Sequence, residues 1–183
     1  MQRRKNHVKN LIIVIFLLFL IWTILQFVSP FALPRGSVTT LSGAVGVSDN
    51  EYTIQNMSFP WNIPYSIGDR LCHQRADRSL FLNENEMPFC TRCTAIWVGL
   101  TLGLGVMVLF IIELNMTFIF TILLSLVPIG IDGVGQLVGF WESTNGIRFF
   151  TGLLAGGICG IALGIIIDET KELVKDMKRK KEK

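Results

Sequence analysis

AIWVGLTLGLGVMVLFIIELNMTFIFTILLSLVPIGI, residues 95–131, decides the fold of this 183-residue chain. It contains two apolar blocks, 95–112 and 114–131, with Glu113 as the only formal charge between them. About 20 apolar residues rising 1.5 Å each cross roughly 30 Å of hydrocarbon. The stretch therefore predicts two membrane spans joined by a turn so short that they form an antiparallel hairpin. Working outward, residues 149–167 (FFTGLLAGGICGIALGIII) and 11–28 (LIIVIFLLFLIWTILQFV) are equally apolar and uncharged. Half of all residues are hydrophobic, and the mean hydropathy of +0.50 is high for a domain with a solvated surface. The expected fold class is an all-α membrane protein with four transmembrane helices. The basic stretch MQRRKNHVK before the first block also suits a signal peptide. However, that block is longer than the usual apolar core of about 7–15 residues, and Ser29-Pro30 offers no small-x-small cleavage site, so a retained anchor is expected.

Charge sets the expected orientation. Of 17 Lys and Arg residues, Arg3, Arg4, Lys5 and Lys9 precede the first span, and Lys171, Lys175, Lys178, Arg179, Lys180, Lys181 and Lys183 follow the last. The positive-inside rule puts both ends in the cytoplasm, N-in and C-in, of a multi-pass protein of the cell membrane. The remaining basic residues, Arg35, Arg70, Arg75, Arg78, Arg92 and Arg148, all fall outside, and every one is arginine, whose planar fork binds carboxylate or phosphate bidentately. The lipid bilayer is the expected partner. Anionic lipid accounts for the basic tail, so no nucleic-acid partner is expected. A transporter is disfavoured, because four spans leave little room for alternating access and no acidic residue lies mid-span.

The chain divides into residues 1–28 (cytoplasmic tail and first helix), 29–66 (an extracytoplasmic lobe), 67–167 (a Cys/His loop and a three-helix membrane core) and 168–183 (a basic cytoplasmic tail). Residues 37–54, rich in Thr, Val, Ser and Gly, read as short strands or an irregular lobe. Span three ends in VPIGIDGVGQLVGF. Pro128 and four glycines around Asp132 and Gln136 predict a kinked or partly unwound stretch beside a polar pocket. Gly152, Gly156, Gly160 and Gly164 repeat every four residues in span four, which lets a neighbouring helix approach closely. A homo-oligomer seam along this face is a second use for it. Cys159, at mid-bilayer depth, reads as a small hydrophobe. Of two N-x-S/T sequons, Asn56 lies outside and Asn115 inside.

The chemistry concentrates in Cys72-His73 and Cys90-Thr91-Arg92-Cys93. Three cysteines and a histidine make a tetrahedral zinc shell of Cys72, His73, Cys90 and Cys93. Adjacent residues rarely both hold one ion, and with His73 turned away the fourth position falls to water, substrate or Asp132. A closed zinc staple, an open catalytic zinc, a Cys90–Cys93 exchanging dithiol and a plain structural disulfide all fit these spacings. Asp132 and Gln136 share a helix face, and Arg148 begins span four at the same outer level. One reading pairs Asp132 with Arg148 or Arg92. The other places Arg92, Gln136 and Arg148 around an anionic, lipid-linked molecule, with Asp132 and Arg148 as catalytic groups should the protein be an enzyme.

The set Cys72-His73-Gln74, Cys90-x-Arg92-Cys93, Gly99, Pro128-x3-Asp132-Gly133-x2-Gln136 and Ser143-x-Asn145-x2-Arg148-x2-Thr151-Gly152 resembles the membrane family known as domain of unknown function 2085. The likeness covers about residues 66–157, in order and spacing. It implies that these residues belong together and brings no reaction with it. Three functions stay open: a metal-binding protein with an anion pocket, a membrane thiol-disulfide oxidoreductase, and a non-catalytic zinc-pinned scaffold.

Overall fold

Uncharged blocks of membrane-crossing length become helices because lipid offers a backbone no other partner than itself. The computed structural model describes residues 2–41, 45–110 and 112–181. In chain order it has α1 (Gln2–Ala32), α2 (Glu51–Gln55), α3 (Asn62–Leu71), β1 (Ser79–Leu82), β2 (Asn85–Cys90), α4 (Thr91–Leu109), α5 (Met116–Val138) and α6 (Asn145–Lys181). One 3-10 turn, Ala76–Arg78, leads into β1. Four of these helices, α1, α4, α5 and α6, are long and apolar enough to cross a membrane.

The centre of the bundle is the pair α4–α6. A Cβ added to Gly156 would sit 2.3 Å from the Ile96 carbonyl oxygen, and one on Gly103 would sit 2.2 Å from that of Gly157. The glycine repeat of span four is thus buried against α4 of the same chain, which takes the face an oligomer seam would need. Contacts climb together, Gly152 on Arg92 and Gly164 on Met107, so α4 and α6 run parallel with their N-termini at one level. α1 runs antiparallel to α4. Trp22 stacks edge-on to Trp97, Thr23 hydrogen-bonds Thr101 (2.9 Å), and Ile12 clusters with Met107 and Ile165. The N-terminal part of α1 and the C-terminal part of α6 therefore share one end of the bundle.

α5 is attached differently. Asn115 caps its N-terminus, its side chain accepting from the Phe118 N–H at 2.8 Å. Most of its apolar residues, Phe120, Leu124 and Leu137 among them, are exposed, and only Asp132 and Gly135 are buried. The predicted unwinding near Pro128 does not occur. The helix continues to Val138 and stops at Gly139, whose φ of 81° closes a left-handed cap. A proline about three turns in leaves one carbonyl unpaired without ending the helix, and Trp141 folds back over the bare surface of Gly135.

The segment between α1 and α4 departs from expectation in where its sheet lies. Residues 37–54 contain no strand among those described; they are irregular, the other of the two expected forms, up to the start of the short helix α2, while residues 42–44 lie outside the described residues. The sheet lies instead in the Cys/His loop, so the protein is mostly helical with a small antiparallel hairpin, β1–β2. Asn83 and Glu84, with φ of 53° and 60°, form its two-residue turn. β2 ties the region together. Asn85 accepts from the Val38 N–H (2.9 Å) and donates to the carbonyls of Pro30 (2.8 Å) and Pro34 (3.0 Å). Glu86 accepts from the Leu41 N–H at 2.9 Å, and the Tyr65 hydroxyl donates to the Glu86 carbonyl at 2.7 Å. A Cβ on Gly68 would strike the Pro88 carbonyl oxygen, so α3 lies directly on β2.

Candidate metal centre and arginine cleft

Three elements bring sulfur to one point. Cys72 follows the last residue of α3, Cys90 ends β2 as the N-cap of α4, and Cys93 lies in the first turn of α4. Their Sγ atoms all lie within 4.8 Å of one another, and all three cysteines are free. The Cys90 N–H points at the Cys72 sulfur across 3.3 Å. Gln74 fixes the approach of Cys72. It is fully buried in a left-handed conformation (φ 39°), and its side chain donates to the Pro88 carbonyl at 2.8 Å. Hydrogen bonds from the Cys72 and Cys93 thiols hold the Cys90 thiol far below its ordinary range, helped by the N–H groups of Cys93 and Arg92. Donating to Cys90 holds Cys72 above its ordinary value, and burial adds to this. Three free sulfurs converging on one point, with a backbone N–H aimed at one of them, are a soft, preassembled donor set suited to a thiophilic cation.

His73 is exposed and lies outside the sulfur group. It lines, with all three cysteines, a cleft of about 380 Å³. Arg92, Gln136 and Arg148 border the same cleft, so most of the residues selected from sequence meet in one place. Asp132 does not line it. Its carboxylate, 4% exposed, forms an ion pair with the Arg92 guanidinium, which settles the choice between Arg92 and Arg148 as partner. Arg148, 5% exposed, has no ion pair among the described residues; its Nη1 donates to Asn145 at 3.0 Å. Two further arginines, Arg75 and Arg78, border the cleft from the 3-10 turn and its approach. Sequence reading counted them among the outer arginines without placing them at the site. The signal that points to them is their position one strand away from a cysteine, visible only once the hairpin is known.

The cleft is rimmed by exposed Leu71 and Leu137. It is a polar pocket open beside an apolar helix surface, and it can take an anion, a metal-bound group, or both.

A family model described as predicted membrane protein (DUF2085) matches residues 72–167. An uncharacterized protein of Methanocaldococcus jannaschii is 36% identical over 95 residues, half of this chain and 60% of that protein. An uncharacterized protein of Methanothermobacter thermautotrophicus is 33% identical over 104 residues, 57% of this chain and 90% of that protein. The chain thus matches less than two thirds of the first relative's length and most of the second's. No solved structure matches.

Proposed function

This chain belongs to the family of predicted membrane proteins designated domain of unknown function 2085, and we propose that it binds a zinc ion and an anionic, lipid-linked ligand side by side. The observation that carries the reading is the shared cleft of Cys72, Cys90, Cys93, Arg92, Gln136 and Arg148. Cys72, Cys90 and Cys93 would supply three of the four ligands a tetrahedral zinc takes. His73, exposed on the cleft wall, lies outside the sulfur group, so the fourth ligand would be water or the bound molecule. Zinc, when bound, supplies a Lewis acid. Around it, Arg148 and Gln136 hold the anion, while Asp132 keeps Arg92 in place. Catalysis by Asp132 is the weaker assignment, because its carboxylate is already committed to a guanidinium.

The basic tails support an arrangement with both ends in the cytoplasm, which turns the cleft to the outer surface of the cell membrane. The parallel run of α4 and α6 fits this, since one intervening span must return between them.

Metal analysis of full-length protein purified in detergent tests the reading. About one zinc per chain is expected, falling to none in Cys90→Ser. Zinc affinity should drop as pH falls, because Cys72, whose thiol holds its proton strongly, must give it up to bind. A chain carrying no metal, with Cys90 and Cys93 cycling between dithiol and disulfide, would replace this reading with the redox one.

A further inference from the structure

The cleft is lined by four arginines, Arg75, Arg78, Arg92 and Arg148, and by no carboxylate. Behind them stand two. Asp77 meets Arg75 at 3.1 Å and Arg78 only at 3.6 Å, and Asp132 serves Arg92. Arg148 is the most buried of the four and has no ion pair among the described residues. A buried guanidinium among like charges is costly unless something negative joins it.

The hydrogen-bonding pattern points the same way. The Nε–H groups of Arg92 and Arg148 are buried and lack an acceptor, and that of Arg78, also buried, has only the Asp77 carboxylate 3.6 Å away, beyond hydrogen-bond distance. They come from three separate elements, the turn before β1, the first turn of α4 and the first turn of α6. The last two sites are unusual for a cation, because a helix N-terminus carries partial positive charge that repels arginine and attracts anions. Two parallel helices present that end at the same level here, each with an arginine added.

We propose that the anion taken by this cleft is a phosphoryl group, held between Arg78 and Arg148 with Arg92 as third donor. The assignment rests on the anion-cleft reading above and narrows it. A carboxylate offers two oxygens in one plane and is satisfied by one arginine fork. A tetrahedral phosphoryl group offers three terminal oxygens in different directions, which suits three donors arriving from three elements. Arg78 thereby becomes a ligand-binding residue on the outer hairpin. The same chemistry is offered by a phosphomonoester lipid headgroup, as in phosphatidic acid, and by free phosphate, whereas the phosphodiester of phosphatidylcholine has only two terminal oxygens.

Thermal stability of the full-length, metal-loaded protein in phosphatidylcholine nanodiscs tests the proposal. Inorganic phosphate, phosphatidic acid in the nanodisc, and acetate are compared at equal ionic strength. Stabilisation by phosphatidic acid, and not by acetate, is expected. Phosphate acting as well as phosphatidic acid identifies the free ion as ligand, and phosphatidic acid acting alone identifies the headgroup. Arg78→Gln and Arg148→Lys should each weaken the response about tenfold or more, with zinc content and the unliganded melting temperature unchanged in Arg78→Gln. Arg35→Gln, in an exposed pair with Glu84, should leave it unaltered. Acetate matching phosphate overturns the phosphoryl assignment and leaves the anion cleft standing. Equal losses from Arg35→Gln and Arg78→Gln also overturn it. No response to any anion overturns both.

Discussion

α6 meets α4 and α5 in opposite ways. Toward α4 it presents bare backbone, glycine against glycine, for most of the membrane thickness. Toward α5 it offers ordinary side chains, and the buried residues on α5 are few, with Asp132 reaching past α6 to Arg92. In lipid, where apolar side chains gain little by leaving the solvent, close packing and polar contacts decide which helices stay together. The α4–α6 pair is accordingly the core, and α5 is held mainly at its two ends, by Phe118 packed against the Ile12–Met107–Ile165 cluster and by the buried Asp132–Arg92 pair near the cleft. The site sits where the fixed pair and the loosely held helix meet.

The largest break in this contrast should come from Gly156→Leu, which forces a side chain into the Ile96 carbonyl. A loss of roughly 3 kcal/mol or more is expected in thermal or chemical unfolding in detergent. Gly130→Leu, on a face of α5 with nothing within 4 Å, should change little. Equal effects of the two would erase the distinction between the helices.

Asp132→Asn comes next. Losing the carboxylate leaves the Arg92 guanidinium part-buried without its charge partner, at a cost of about 2 kcal/mol. Hydrogen exchange should rise in α5 and not in α4. Uniform exchange across both helices would mean that the ion pair does not fasten α5.

A smaller change is expected from Thr101→Val, which removes the hydroxyl contact of α4 with Thr23 at 2.9 Å. Interhelical hydrogen bonds of this kind contribute about 0.6 kcal/mol, to be read from unfolding midpoints.

The smallest concerns the β1–β2 hairpin. Burial of Glu86 raises its carboxyl above the ordinary range, so the folded chain holds that proton more tightly than the unfolded one. Its contribution is complete below the unfolded value and fades as pH climbs through the raised folded value. Glu86→Gln should flatten that decline in melting temperature between acid and neutral pH. An unchanged profile would remove Glu86 from the account.

The spans were legible because their signal is composition over a fixed length, and the glycine face because its spacing equals a helical turn. The site was legible as a set of residue types, and the cleft brings most of them together. Three things were hidden. The β1–β2 hairpin turns on Asn83-Glu84, a pair without the glycine that advertises such turns. Gln74 entered the reading only as the third member of the Cys72-His73-Gln74 set, and its left-handed backbone has no counterpart in periodicity. The stretch after Pro128 looked broken because its propensity is poor, but helical hydrogen bonding in an apolar solvent overrides propensity.

The two tightly joined helices are not neighbours in sequence. α4 ends at Leu109, and α6 begins only at Asn145, after the whole of α5. During synthesis α4 must therefore wait in lipid with its glycine groove unfilled until the last helix has been inserted. α6, about the final fifth of the chain, thus acts as the keystone that fills that groove.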